Sequence, residues 1–530
     1  MRPSPGPDPR AATRRTARLV ALAAFLVFAL TGGGRIAGSD EVTMFELAQS
    51  MLHGRIDVPA AGATLQGPDG RFYSKNTAGQ AVLALPLVAA AEFAAKAAHF
   101  REEKAVLAAR FGASFLNAAL AALVLAALYA FARRLGARAG PALAATVLLG
   151  FTTPLWVYAK SFMAEPLETL GLLLALGNAA LAGAGGARAL PDERRRLAFA
   201  ALGAFLAVSA KASMLPLVIV ALSPMDWRRW RRAILPAIGI GLAVAGHLAY
   251  NLARFGNPLE SGYGAQASPH AFSTPLPVGA YGLLLSSGKG VVWFAPAILL
   301  AIAGWAEMTR ARAHSNEPRR GVSAHNAAWA VAAMWAFGLV EFGTFQHWAG
   351  DGSWGPRYLV PLLPPAFLAV AFALDGASRA RRRVAWVLGL AGLVVTLGGV
   401  GVYYGAEMRY VGDYPYTRAL EDPQFMEASH YNPRFTPIAV HWRMLANDVA
   451  AHARGDWPRI GQAGTVDPRL GVSTADQQAL VGAIDVWWMY ARYAGLPFAP
   501  LLFAALALLA GAAAAWSAAW RSAREEARSA

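Results

Sequence analysis

The sequence predicts an all-α integral membrane protein with about twelve transmembrane helices, interfacial helices in the first outer loop and a long outer loop before the last helix. Three observations predict it. Of 530 residues 56% are hydrophobic and the mean hydropathy is +0.37. Apolar stretches long enough to cross ~30 Å of hydrocarbon recur along the chain. Arg and Lys, which give a formal net charge of +16, gather in short runs between those stretches. In a soluble protein such a charge would suggest nucleic acid; here the runs act as orientation signals, and no nucleic-acid partner is expected. Cys is absent. That removes disulfides, thiolate metal ligands and a cysteine nucleophile, and leaves any catalysis to carboxylates, His, Lys, Arg or Tyr.

The elements follow in order. Arg10, Arg14, Arg15 and Arg18 precede an apolar run at 19–30, which has the charged flank and short core of a signal peptide. Arg35 and the later helices favour an uncleaved anchor, with 1–18 a cytoplasmic basic segment. Further basic runs fall at Arg133-Arg134, Arg194-Arg195-Arg196, 228–232, 310–320, 379–383 and from Arg521 onward. All lie inside only if an even number of crossings separates each neighbouring pair. This condition decides two ambiguous segments. Residues 78–98 are apolar enough to cross, yet a crossing there would put every later run outside, so the segment is read as an interfacial or re-entrant helix. Residues 197–222 lie between two inside runs and are read as two short helices hinged near Ser209-Ala210-Lys211. Other crossings are expected at 105–131, 141–158, 166–181, 233–252, 291–306, 327–343, 359–374, 384–404 and 497–516.

This leaves three unequal outer loops at 37–104, 251–290 and 405–496, with both termini cytoplasmic in the inner (plasma) membrane. The chain reads as one unit: a transmembrane core at 19–404, the long outer loop, and a last helix with its tail at 497–530. Long loops without function are uncommon, so the active site is placed on the outer, extracytoplasmic face.

In the first outer loop, Ser39-Asp40-Glu41 offers a carboxylate at the membrane boundary that could serve as general base toward a hydroxyl. The plainer account is a helix start, since Ser and Asp are natural N-caps and acids suit a helix N-terminus. Downstream, 69–76 reads as a turn and a short extended segment carrying Tyr73 and Lys75. Lys75 at headgroup level could hold a phosphate, or simply snorkel. Glu165 precedes Pro166 at an outer turn, where a first-turn acid also complements the helix dipole. Glu168 lies one turn deeper and needs a partner, for which Lys211 is a candidate.

Residues 346–358 are dense in Gly, Trp and hydrogen-bonding groups, among them His347, Trp354, Arg357 and Tyr358. Arg357 could clamp a phosphate or pyrophosphate with its planar fork, against the alternative of an aromatic-belt anchor. In the longest loop His430, Tyr431, Arg434 and His441 form a polar-aromatic patch suited to a sugar or a lipid head. No metal-binding, P-loop or dinucleotide pattern is present, so neither a metal nor a cofactor is expected.

Together these residues resemble the C-type membrane glycosyltransferases that use polyprenyl-phosphate sugars, which include protein mannosyltransferases and lipid A aminoarabinose transferases. Four features carry the resemblance: Asp40-Glu41 after the first helix, Tyr73-Ser74-Lys75 to Gly79 before an interfacial helix, Glu165-Pro166, and Lys211. The resemblance implies a polyprenyl-phosphate sugar donor and a glycan, lipid or protein acceptor. Asp40 would be the base with Glu41 beside it, Glu165 the second acid, and Lys75, Arg357 and Lys211 the donor-phosphate ligands. Tyr73, His347, Trp354, Tyr358, His430 and Arg434 would line the substrate cavity. Asn76-Thr77-Ala78-Gly79 stands where better-known members have a Pro-rich stretch, so sugar and acceptor do not transfer with the resemblance. Two other readings stay open: a transporter or glycan flippase with Glu168 and Lys211 as coupling residues, and a non-catalytic envelope-assembly scaffold.

Overall fold

The computed structural model describes residues 9–60, 62–183, 191–314, 318–350, 352–406, 430–461, 466–467, 472–473, 476, 479–480 and 482–529. Asp351 and residues 407–429 of the long loop lie outside the described residues. The chain is a polytopic membrane protein of the all-α class, with strands confined to short two-stranded pairs among the described residues. Helix α1 (Pro9–Thr31) leads to α2 (Ser39–Leu52), a β1–β2 hairpin (Thr64–Gln66, Phe72–Ser74) and α3 (Gly79–Ala97). Then come α4 (Glu102–Ser114), α5 (Leu116–Leu135), α6 (Ala139–Phe151), α7 (Leu155–Ala159), α8 (Glu165–Gly183), α9 (Pro191–Ala210), α10 (Met214–Ala221) and α11 (Ile234–Phe255). The second half holds α12 (Leu276–Leu285), α13 (Val291–Phe294), α14 (Leu300–His314), α15 (Pro318–Thr344), α16 (Leu363–Leu374) and α17 (Arg379–Gly401). It ends with α18 (Pro437–Ala453), α19 (Trp487–Tyr493) and α20 (Phe498–Ser529).

Among the described residues, eight helices are long and apolar enough to cross a membrane, and α6 and α12 are shorter apolar helices. Part of the difference from about twelve expected spans has a local cause. The segment expected at 291–306 is divided into α13, a 3-10 turn at Pro296–Leu299 and α14, because Pro296 interrupts the helical hydrogen-bond ladder. The segment expected at 197–222 is two helices, and the break between α9 and α10 falls at Lys211.

Helix α9 packs antiparallel against α8. The two backbones approach so closely that a Cβ on Gly171 would lie 2.4 Å from Ala207 N, and one on Gly203 would lie 2.5 Å from Ala175 N. Small residues at such a seam are what lets helices pack tightly where hydrophobic burial offers no driving force.

The basic runs collect at one end of the bundle, and several of them are met by acids. Arg10 pairs with Asp192 at 2.8 Å, Arg133 with Glu526 at 2.7 Å, Arg232 with Glu193 at 2.5 Å and Arg381 with Glu307 at 3.8 Å. Thr13 on α1 donates to Glu526 on α20, while Trp488 before α20 donates to Leu30 at the far end of α1, so these helices run antiparallel. Both described termini therefore sit at the basic end.

Helix α3 begins and finishes at the opposite end. Gly79 packs on the backbone of Ser209, where a Cβ would lie 2.3 Å from the carbonyl oxygen. Its last turn faces Gly33 to Ala37 beyond the end of α1. Length and composition would let α3 cross a membrane, but with both ends at one end of the bundle it lies across that end. Sidedness gives a direct prediction. Single cysteines at the exposed positions Asp69 and Arg434 are expected to react with an impermeant thiol reagent in intact cells. Those at Arg195 and Arg382 are expected to react only after permeabilisation, and the reverse pattern would invert the assignment.

Candidate functional site

At the end of the bundle opposite the basic runs, α2 starts just after α1 because Gly38 is extended and Glu41 reaches back to it. The Gly38 N–H donates to Glu41 Oε2 at 2.8 Å, which satisfies one of the free donors of the first turn. The other Glu41 oxygen accepts the Phe162 N–H at 2.6 Å. Glu41 is 2% exposed, and that burial pushes its carboxyl above the usual range despite the two backbone donors. Its geometry is that of a positioning residue that fixes α2 against the loop after α7.

Asp40, the preceding residue, points into a cationic cluster. Its Oδ1 lies 3.7 Å from Lys75 Nζ and its Oδ2 3.5 Å from Arg357 Nη1. Asn76 Nδ2 donates to Oδ1 at 3.4 Å. Burial works against the charge, but Arg357 and Lys75, helped by Asn76 and Lys211, hold the Asp40 carboxyl below the usual carboxylate range. Arg357, which opens the turn before α16, also pairs with Glu165 at the start of α8. Glu165 is therefore bound to Arg357 and orients it.

Lys75 is held by its backbone neighbours. Arg254, stacked on Tyr250 at 4.0 Å and Phe255 at 4.6 Å, donates to the Ser74 carbonyl and to Asn251 Oδ1 at 2.6 Å. Thr77 Oγ1 donates to the Ala210 carbonyl at 2.6 Å. Two anchors thus clamp the segment 74–79 between the end of α11 and the apex of α9. Tyr263 covers the cluster: its hydroxyl donates to Asn76 Oδ1 at 3.3 Å, and its ring centroid is 5.7 Å from Lys75 Nζ. Lys211 Nζ lies 4.6 Å from the Tyr358 ring centroid. The fold thus brings together Asp40, Lys75, Glu165, Lys211, Arg357 and Tyr358, from positions far apart in the chain.

The other expected cavity residues make contacts of their own. Tyr73 is buried, donates to Asp69 Oδ2 at 2.7 Å and packs edge-on against Phe255, stabilising the β-hairpin. Trp354 is a core side chain beside Phe294 and His441, and its carbonyl accepts the Tyr158 hydroxyl at 3.1 Å. His430 is buried against Trp348, and Arg434 is exposed over Phe435. His347 bonds to Gln266 at 3.1 Å in the loop after α11. No group of three or more His, Asp or Glu suited to a metal is found among the described residues.

Sequence reasoning missed a second buried cluster behind Glu41. Asp485 Oδ2 lies 2.9 Å from Lys160 Nζ, its Oδ1 lies 3.1 Å from Arg35 Nε, and Tyr490 donates to it. This cluster borders a mostly apolar cavity of about 990 Å³ between the loop after α1, α3, α4 and α19. The cavity does not contain Asp40, Lys75 or Arg357. Asp40, Lys75, Glu165, Lys211 and Arg357 together form the candidate site, because they gather ionisable groups of both signs in one place.

Two solved structures are similar to this chain. The crystal structure of ArnT from Cupriavidus metallidurans bound to undecaprenyl phosphate is 15% identical, over 90% of this chain and 77% of that one, with a TM-score of 0.47. ArnT from the same organism in the apo state is 16% identical, over 92% and 78%, with a TM-score of 0.44. No family model matches the sequence, and no curated protein matches it.

Proposed function

We propose that the protein is a membrane glycosyltransferase that moves a sugar from a polyprenyl-phosphate donor to an acceptor hydroxyl at the extracytoplasmic face of the inner membrane. The observation that carries the reading is one carboxylate, Asp40, set between two cations, Lys75 and Arg357, at the end of the bundle away from the basic runs. A base beside a cationic site is what displacement at a glycosyl phosphate requires. Asp40 takes the proton of the acceptor hydroxyl, whose oxygen attacks the anomeric carbon. The carbon–oxygen bond to phosphate breaks, its electron pair leaves with the phosphate, and Lys75 and Arg357 hold the new charge. Attack opposite the leaving group inverts the anomeric centre.

The same geometry couples donor binding to the base. A phosphate that draws Lys75 and Arg357 to itself takes positive charge from Asp40. The loss raises the affinity of Asp40 for a proton at the moment the acceptor needs a base. Glu165 keeps Arg357 in place meanwhile, and Glu41 keeps α2 in register.

The test of the reading is mass spectrometry of envelope glycans, glycolipids and glycoproteins in cells lacking the protein. A missing sugar restored by the parent chain supports it, and an unchanged profile would reject it. For the phosphate site, Lys75→Ala and Arg357→Ala are expected to weaken binding of undecaprenyl phosphate to the purified protein by roughly tenfold or more each, the scale of a lost charge-assisted hydrogen bond. Unchanged affinity in both variants would remove these residues from the donor site.

A further inference from the structure

Beside the phosphate cluster lie three charged groups that the transfer chemistry leaves unused. Glu168, one turn into α8, is 2% exposed, Glu341 stands near the end of α15, and Lys211 stands at the α9–α10 break. Glu168 Oε1 and Glu341 Oε2 are buried and accept no hydrogen bond among the described residues. The charge of Lys211 acts on both carboxylates and on Asp40, yet no ion pair joins it to any of the three among the described residues. Its ammonium rests instead on the Tyr358 ring, which stacks on Phe342 at 5.3 Å.

Buried carboxylate oxygens without donors are costly, and a fold rarely keeps two of them around one unpaired ammonium. Two acids and one amine so placed suit a ligand that offers hydrogen-bond donors to the acids and an acceptor to the amine at once. A hydroxyl does both, since it donates through hydrogen and accepts through oxygen. One ammonium against two acids leaves this set without the excess of positive charge that a phosphate needs.

Position agrees with chemistry. The anomeric carbon is bonded to the donor phosphate, so the ring must adjoin the phosphate ligands. Tyr263 spans that junction, bonded to Asn76 beside Asp40 and within electrostatic reach of Glu168. We propose that Glu168, Glu341 and Lys211 form the subsite that orients the transferred sugar through its ring hydroxyls. This rests on the glycosyltransferase reading above.

The test uses the full-length protein in two assays. Glu168→Gln and Glu341→Gln are expected to bind sugar-free undecaprenyl phosphate as the parent does. In cells lacking the protein, the same variants are expected to restore the glycan product roughly tenfold less well or worse. Full restoration by both would overturn the subsite while leaving the transferase reading intact. Loss of carrier binding together with product would make the acids structural and overturn it as well. If the parent itself neither binds the carrier nor changes a glycan, the transferase reading fails first, and this inference falls with it.

Discussion

Asp40→Asn is expected to lower sugar transfer by a factor of ~10²–10⁴, the usual contribution of a positioned general base, with binding of the sugar-free carrier retained. The amide keeps the size of the side chain but cannot accept the acceptor proton. Arg357 retains Glu165, so the cationic site stays assembled. The pH dependence separates this role from a structural one. Arg357 and Lys75 outweigh burial and hold the Asp40 carboxyl low, so the acid limb of kcat/KM in the parent is expected below the ordinary ~3.9 of an aspartate. An opposite charge favours the ionised form, so removing one raises the pKa. In Arg357→Gln the acid limb is therefore expected to move upward, in addition to the loss of rate. Near-parental transfer by Asp40→Asn, or an acid limb indifferent to Arg357, would sink the assignment.

Much of the site was legible because its members announce themselves locally. Asp40, Glu165, Lys211 and Arg357 are charges at helix ends or breaks in an apolar chain, where a charge needs a reason. Lys75 follows a Gly-containing turn, and Gly70 adopts φ +79° there as such a turn requires. What one strand of sequence cannot show is which way two adjacent acids face. Glu41 turns inward because the Phe162 N–H and the backbone at Gly38 meet it, and those partners come from separate segments. Tyr263 and Arg254 were hidden for the same reason: their roles depend on α11 folding over the 74–79 segment. The burial of the aromatic and His side chains in 346–358 and in the long loop was hidden for a different reason. Aromatic and His side chains pack a core as readily as they line a cavity, and Trp354 and His430 do the former.

The Lys160–Asp485–Arg35 cluster lay furthest from view, since Arg35 and Asp485 are 450 positions apart. Lys160→Met is expected to destabilise the protein by ~3–5 kcal/mol, the cost of breaking a buried pair from one side. Lys160 also donates to the Val400 carbonyl at 2.5 Å, so its loss frees the end of α17 as well. Asp485, with its side chain 4% exposed, would keep Arg35 and Tyr490 among the described residues. The carboxyl of Asp485 is held far below its ordinary value, against the opposing effect of burial, by Lys160 and Arg35. A depressed folded-state pKa contributes stability that is present above the unfolded value of ~3.9 and is lost as pH falls through the folded one. The thermal midpoint of the parent is therefore expected to fall in acid more steeply than that of Lys160→Met. Removing both charges as Lys160→Met with Asp485→Leu is expected to cost less than the sum of the single changes, because neither member of the Lys160–Asp485 pair is then left buried without the other. Strict additivity in thermal unfolding would mean that the two groups do not act as a pair. Because Lys160 sits two residues before the Phe162 N–H that Glu41 accepts, loosening this cluster is also expected to slow transfer without touching a substrate-binding group.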